Sequence, residues 1–289
     1  MKKPIKKIDL HMHTVISDGT DTLSEILLAV KESKIDLFSV TDHDAIKGGI
    51  EMPALLGPDD PEFIRGVEFS CRDEQGSYHI LGYGYDPAES PIVKVIEKGH
   101  GLRLQKFKAR VDFVREEFGF EFSEEDLEEL FDRENPGKPH LANLMVKYGY
   151  ANDKQDAISN YINKKKFGSE YVSPREAIEG ILGSGGIPIL AHPSYGNGED
   201  LILGQDMENR LLRLMDFGIK GLEAYYSGFS QKIQEENLGL AKKYNLYVTC
   251  GSDYHGTNKL VKLGDNNLDD IEDGPIGLKR FLEDVRKVD

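Results

Sequence analysis

Histidines and carboxylates recur along this chain in short, similar blocks. Asp9-Leu10-His11-Met12-His13 opens the series, and Asp18 follows in the turn Ser17-Asp18-Gly19. Thr41-Asp42-His43-Asp44 comes next, then Glu68 in Gly66-Val67-Glu68-Phe69-Ser70, then His79. Ala191-His192-Pro193 and Gly251-Ser252-Asp253-Tyr254-His255 close it. Imidazole and carboxylate together suit Zn, Fe or Mn rather than Ca or Mg. Alternate residues of an extended segment point the same way, so His11/His13 and Asp253/His255 can each offer two donors to one side. The set His11, His13, Asp18, His43, Glu68, His79, His192, Asp253 and His255 is larger than one ion uses. It fits two or three divalent ions sharing a bridging carboxylate. A lone histidine beside a strand is ordinarily a satisfied polar residue. The case rests on recurrence after nearly every expected strand, since the middle of the chain holds only His100 and His140.

Short apolar runs alternate with helical patterns on either side of that middle. Strands are expected at 8–10, 37–40, 63–69, 78–85, 187–191, 221–225 and 247–250, with a polar turn at 73–76. Thr22-Leu23-Ser24-Glu25 and Ser173-Pro174-Arg175-Glu176 have capping-box spacing and open helices reaching about 33 and 183. Further helices are expected at 46–56, 209–217, 231–244 and 276–288. This alternation predicts a parallel, closed sheet with helices outside, which would bring the histidine-bearing strand ends to one rim. From 86 to 170 strand patterns vanish and helices dominate, at 93–117, 123–131, 141–148 and 155–163. We therefore divide the chain into an α/β unit, 1–86 and 171–289, and a helical insertion, 87–170. The insertion either decorates the fold or covers the site as a lid.

Composition bounds the function. The 289 residues carry 36 Lys+Arg against 51 Asp+Glu, a formal charge of −15, with 39% hydrophobic residues. This is a globular composition, and it argues against electrostatic wrapping of a long duplex. A small anionic substrate stays open, because its binding depends on local charge. Three divalent ions would bring the formal charge from −15 to −9. Two cysteines, Cys71 and Cys250, imply no disulfide framework. Lysines at the start are followed by no apolar run, and no stretch is apolar enough to span a bilayer, so a cytoplasmic, non-membrane protein is expected. No protein partner is evident. Gly183-Ser184-Gly185-Gly186 precedes a strand instead of following one and is no phosphate-binding loop. Tyr225-Tyr226-Ser227 follows a strand and reads as half-buried aromatics.

The blocks at 9–14, 17–19, 41–44, 66–68, 79, 191–193 and 252–255 together resemble the PHP (polymerase and histidinol phosphatase) family of metal-dependent phosphoesterases. The resemblance implies a distorted (β/α)7 barrel with an inserted helical subdomain. It points to a bacterial branch in which some members hydrolyse nucleoside 3′,5′-bisphosphates to the 5′-monophosphates and trim short oligonucleotides 5′ to 3′. It also implies a division of ligands. His11, His13 and Asp253 would hold one metal, and Glu68 would bridge to a second completed by His79 and His192. Asp18, His43 and His255 would hold a third. Asp9 and Asp42 would orient histidines. Lys138-Pro139-His140-Leu141-Ala142-Asn143 resembles a family segment in which arginines stand at the positions of Lys138 and Asn143. His140 and Lys138 would face the substrate phosphate, with Arg103 and Lys106 as further basic positions.

The expected reaction is hydrolysis of a phosphate monoester by a hydroxide shared between metals, attacking phosphorus in line. Glu68, His140 and His255 are the candidate catalytic residues, and the ions are Mn, Fe or Zn. The substrate is a small phosphorylated metabolite, foremost a nucleoside bisphosphate. A 5′–3′ exonuclease on short RNA or DNA, a histidinol-phosphatase-like enzyme and a non-catalytic metal-binding module are the alternatives.

Overall fold

The computed structural model describes residues 5–133, 135–168, 170–195, 201–272 and 274–287. The first four residues of the basic start, and the end of the helix expected to reach 288, lie outside them. The strands form two sheets. β1 (Ile8–Asp9), β2 (Leu37–Phe38) and β3 (Glu62–Phe63) pair in parallel, in that order. β4 (Gly66–Asp73), β5 (Gly76–Tyr83), β6 (Ile187–Leu190), β7 (Gly221–Tyr226) and β8 (Tyr247–Gly251) form the second sheet, also in chain order.

Helices supply the crossovers. α1 (Leu23–Glu32) joins β1 to β2, and its capping box is formed as the sequence predicts, with Thr22 and Glu25 bonding reciprocally. α2 (Lys47–Glu51) is shorter than the expected helix at 46–56. It passes into a 3-10 turn at Met52–Leu55, where Pro53 has no N–H to give to an α-helical ladder.

The expected all-parallel closed sheet is not found among the described residues. β4 and β5 form an antiparallel hairpin, and β5 pairs antiparallel with β6. Only the β6–β7 and β7–β8 pairs are parallel in the second sheet. The cause is local. The polar turn is tight, with Gly76 at φ 131°, and parallel neighbours need a crossover of roughly a dozen residues or more. The strand expected at 63–69 is also broken between β3 and β4, so one predicted strand serves two sheets.

The sheets meet along two seams. At one, Leu10 N–H donates to Cys250 O (3.1 Å) and Asp253 N–H donates to His11 O (2.8 Å). At the other, Asp44 N–H donates to Glu68 O (2.9 Å) and Glu68 N–H to Asp42 O (3.3 Å). Both seams therefore carry site residues on their backbones.

Between β5 and α7 (Pro174–Gly183) lie α3 (Ser90–Phe118), α4 (Glu124–Phe131), α5 (Lys138–Lys147) and α6 (Lys154–Asn160). The buried face of α3 changes character along its length. Ile92 and Val95 join the core of the α/β body, while Phe107, Val111 and Val114 pack with Leu141, Met145 and Ile162 in a separate apolar cluster. The same helix also buries three basic residues at helical spacing, Arg103, Lys106 and Arg110. α7 (Pro174–Gly183), α8 (Gly204–Phe217), α9 (Gln231–Lys243) and α10 (Ile276–Val285) return the chain to the body. Among the described residues no helix is long and apolar enough to cross a membrane.

Gly66 gives the second seam its closeness. A Cβ there would stand 2.2 Å from Ser39 Oγ and 2.6 Å from Thr41 Cγ2. Gly66→Ala should therefore destabilise the fold by about 1–3 kcal/mol through overpacking, measured as a lower urea midpoint. An unchanged midpoint would show that the seam yields freely.

Candidate metal centre

Glu68, on β4, stands at the centre of the histidine blocks. Its Oε1 lies 3.0 Å from His79 Nδ1 and 3.1 Å from His192 Nε2. Its Oε2 lies 3.3 Å from His11 Nε2, 3.2 Å from His13 Nε2 and 3.1 Å from His43 Nδ1. Strand pairing explains part of this. His79 faces Ser70 across the β4–β5 ladder, one diagonal step from Glu68 on the same face. Asp253 Oδ1 lies 3.3 Å from His13 Nε2 and 3.5 Å from His11 Nε2. Asp18 Oδ1 lies 3.3 Å from His255 Nε2, and Asp18 Oδ2 3.8 Å from His43 Nε2. All nine expected ligands thus converge.

Eight of the nine fall into three overlapping groups whose donor atoms lie mutually within 4.8 Å: His11, His13 and Asp253; His43, Glu68 and His79; and His13, Asp18, His43 and His255. His192 stands beside the second, 3.1 Å from Glu68 Oε1. Ring nitrogens also face each other, His11 Nε2 to His13 Nε2 at 3.2 Å and His79 Nδ1 to His192 Nε2 at 3.2 Å. Two lone pairs at that distance need a proton or a cation between them. The chemistry of the donor set fits divalent ions of the Zn, Fe or Mn type.

The surrounding contacts differ from expectation. Asp9 orients no ring. Its buried carboxylate accepts the N–H groups of His11 (3.3 Å), Ser252 (3.0 Å) and Gly264 (2.7 Å), tying β1 to the segment after β8. Asp42 accepts Thr14 N–H (2.8 Å), Thr14 Oγ1 (2.7 Å) and Ser17 Oγ (2.7 Å), and so builds the turn carrying Asp18. The ring of His11 is oriented by Glu223 on β7, whose Oε1 accepts from Nδ1 (3.0 Å). Glu223 Oε2 accepts His192 N–H (2.8 Å), so one buried carboxylate serves two of the blocks. A Cβ on Gly251 would come within 2.5 Å of Glu223 Oε1 and 2.2 Å of His11 Cβ, so this pairing needs glycine there. Sequence reasoning missed Glu223. Its signal was an acid inside an otherwise apolar strand, Gly221-Leu222-Glu223-Ala224-Tyr225.

Tyr226 and Lys259 were missed as well. Tyr226 Oη donates to Asp253 Oδ2 (2.9 Å), and Lys259 Nζ approaches the same oxygen (2.5 Å), leaving Oδ1 for the histidines. His192 and Asp253 hold positive φ, 25° and 58°, as does Asp44 at 50°. Non-glycine residues rarely adopt that region, and the bonds from Glu223, Tyr226 and Lys259 hold it in place.

Charge in the cluster is arranged for a cation. Burial opposes ionisation of Glu68, but the charges of His11, His79 and His43 outweigh it and hold its pKa well below the carboxylate range. Asp18 and Asp253 are likewise held well below it, against burial, by His43 and His255 for Asp18 and by Lys259 and His11 for Asp253. Burial acts against a proton on His13, yet Asp253 and Glu68 raise its pKa to about 9. Burial keeps His43 and His255 below the usual histidine value. His255 Nδ1 donates to Asp253 O (2.8 Å), which leaves Nε2 as its donor atom toward Asp18. An entering cation would displace the proton from His13, so its uptake should strengthen as pH rises toward about 9.

Residues from the helical stretch between β5 and α7 border this cluster. Asn135, nearly fully buried, donates from Nδ2 to His43 O, and its Oδ1 has no partner among the described residues. Arg103 lies 3.5 Å from both Asp18 Oδ2 and Asp44 Oδ2, with a buried, unpartnered Nε. His140 Nδ1 accepts Gly137 N–H (2.9 Å), so the neutral ring carries its proton on Nε2. Burial pushes its pKa down to about 4. Lys138 Nζ donates to Asn163 Oδ1 (2.8 Å), within the insertion. Lys106 Nζ sits over the Tyr171 ring, 3.2 Å from its centroid, and burial lowers its pKa to about 7.

No family model matches the chain. A 3′,5′-nucleoside bisphosphate phosphatase of Chromobacterium violaceum is 27% identical over 280 residues, 93% of this chain and 92% of that protein. A 5′-3′ exoribonuclease of Haemophilus influenzae is 27% identical over 270 residues, 92% of this chain and 96% of that one. A solved structure from Bifidobacterium adolescentis, assigned as a metal-dependent phosphoesterase, superposes with a TM-score of 0.83 at 27% identity, covering 97% of each chain.

Two measurements check this geometry. Glu223→Gln replaces one of two accepting oxygens by an NH2 group, and should weaken Zn(II) or Mn(II) binding roughly 10- to 100-fold in competition with a chelator. Unaltered affinity would remove Glu223 from the site. The His140 ring should stay neutral, with its proton on Nε2, from pH 8 down to 5, protonating only near about 4 in a 15N NMR titration. A midpoint above 6 would contradict the buried, Gly137-bonded ring.

Proposed function

We propose that this chain, a metal-dependent phosphoesterase of the PHP family, hydrolyses a phosphate monoester of a small metabolite, foremost a nucleoside 3′,5′-bisphosphate to its 5′-monophosphate. One observation carries the metal-dependent reading. Both oxygens of Glu68 are in use, Oε1 toward two imidazoles and Oε2 toward three. Such a carboxylate is suited to bridge two cations. His11, His13 and Asp253 would hold one ion, His79 and His192 a second, and Asp18, His43 and His255 a third. When bound, such ions supply an acidified water and positive charge against the phosphoryl oxygens.

The chain's own residues do the rest. Arg103 brings a guanidinium charge to the edge of the cluster, beside Asp18 and Asp44, where it would favour an entering phosphate. His140 offers Nε2–H as a neutral donor. With a pKa of about 4 the ring is neutral at neutral pH, and a bound phosphate's negative charge would raise that value. Asn135, Arg103 and His140 support the reading of 87–170 as a subdomain that closes one side of the site. The hydrogen bonds across both seams support reading the two sheets as one distorted (β/α)7 barrel. The two buried free thiols, Cys71 and Cys250, suit a reducing cytoplasm.

The likeness to the Haemophilus influenzae exoribonuclease supports a second activity at the same centre, 5′–3′ trimming of short oligonucleotides. The charge of −15 favours short strands over long ones.

A panel of nucleoside bisphosphates, short oligonucleotides, sugar phosphates and amino-acid phosphates tests the ranking. The nucleoside bisphosphates should release phosphate fastest. Glu68→Ala should abolish turnover while the far-UV circular dichroism is retained, and Asn143→Arg should change substrate preference more than rate. Full activity of Glu68→Ala would overturn the bridging role, and release from amino-acid phosphates alone would overturn the substrate.

A further inference from the structure

The side of the cleft opposite the insertion is aromatic. A cavity of about 350 Å³ opens over Glu68, His79 and His192, and Tyr195, Tyr226 and Lys259 line its outer wall. The Tyr226 ring lies 5.5 Å from the His192 ring and 6.2 Å from the Tyr195 ring, and Phe229 packs against both tyrosines at 5.1 and 5.5 Å. Phe229 is buried and backs the wall, whereas Tyr195 and Tyr226 stay partly exposed.

Hydrogen bonds at the ring edges fix this wall. Tyr195 Oη donates to Gly228 O (2.7 Å), and Tyr226 Oη donates to Asp253 Oδ2 (2.9 Å). The phenol groups are therefore engaged, and the surface left to a ligand is ring face. Gly228 permits the arrangement, since a Cβ there would lie 2.8 Å from Tyr226 Cε1 and 3.4 Å from Tyr195 Cε2. A pair of tyrosines serving only to fill a core would be covered; these two border the same cavity as the proposed metal ligands. Of Tyr225 and Tyr226, both expected to be half-buried aromatics, Tyr225 is buried and Tyr226 stands half-buried on the cavity wall.

We propose that Tyr195 and Tyr226 form a stacking platform for the nucleobase of the substrate, one ribose away from the phosphate held at the metal centre. This deepens the nucleotide reading above and rests on it. A flat, π-faced group is the ligand chemistry such a wall selects, and base–aromatic stacking is tolerant of base identity because every base has a π-face. The cleft then has two unlike sides: Arg103 and His140 for phosphate oxygens, Tyr195 and Tyr226 for the base. Small phosphates without a ring would engage only the first.

The test uses the whole, metal-loaded chain. Tyr195→Ala should lower the ratio of kcat/KM for adenosine 3′,5′-bisphosphate over that for ribose 5-phosphate by roughly 5- to 100-fold, the range expected for one lost stacking contact. Tyr195→Phe should restore the ratio. The chain contains no tryptophan, so Tyr195→Trp introduces a single indole that can be excited apart from the tyrosines. Adenosine 5′-monophosphate should quench it saturably, and ribose 5-phosphate should not. An unchanged ratio in Tyr195→Ala, or equal quenching by both ligands, would overturn the platform. The quenching needs no turnover, so a chain that binds adenosine 5′-monophosphate this way but releases no phosphate from bisphosphates would sink the reaction while leaving the platform standing.

Discussion

A carboxylate shared among five imidazoles is the constraint around which this molecule is organised. Left alone, Glu68 would be one buried negative charge facing several neutral rings whose lone pairs confront each other. Protons on some of the histidines relieve the conflict, and multivalent cations relieve it better, because each can accept several lone pairs at once. Much of the chain serves to hold these groups close in spite of their repulsion. The left-handed backbone at His192 and Asp253, the tight contacts at Gly66 and Gly251, and the bonds from Glu223 to both His11 and His192 all work to that end.

The nine converging side chains were legible in the sequence because they are chemically conspicuous and follow strands. His11 and His13, or Asp253 and His255, announce themselves by alternate spacing. The partners that position them are harder to see. Glu223 is one acid in an apolar strand, Lys259 lies in a loop beyond the last block, and Asn135 sits in the insertion far from the histidines in sequence. Asp9 and Asp42 misled in the opposite sense. An aspartate two or one residues from a histidine suggests an orienting partner, yet both carboxylates are spent on backbone N–H and hydroxyl groups of the loops. Sequence adjacency says little about which atom a buried carboxylate reaches.

Sheet topology failed for a related reason. Strand–helix alternation is a sound signal for parallel pairing, and it holds for β6, β7 and β8. The hairpin of β4 and β5 breaks the rule, although the polar turn at 73–76 was itself visible. That hairpin is functionally apt, since antiparallel pairing brings His79 onto the same face as Glu68 within one tight turn. The insertion follows directly after β5, so its helices emerge beside the site. Its own apolar cluster lets α3 carry Arg103, Lys106 and Arg110 as buried basic residues.

The seam between β1 and β8 joins the two ends of the chain. His11 and Asp253 meet there through both backbone and side chain, and Asp9 caps the segment that follows β8. During synthesis, therefore, His11, His13, Asp18, His43, Glu68 and His79 leave the ribosome long before His192, Asp253 and His255 exist. A half-made chain can display six of the nine side chains but cannot assemble the full donor set. The full donor set is thereby deferred to the moment β8 docks beside β1, so any ion that needs all of it would bind only after that docking.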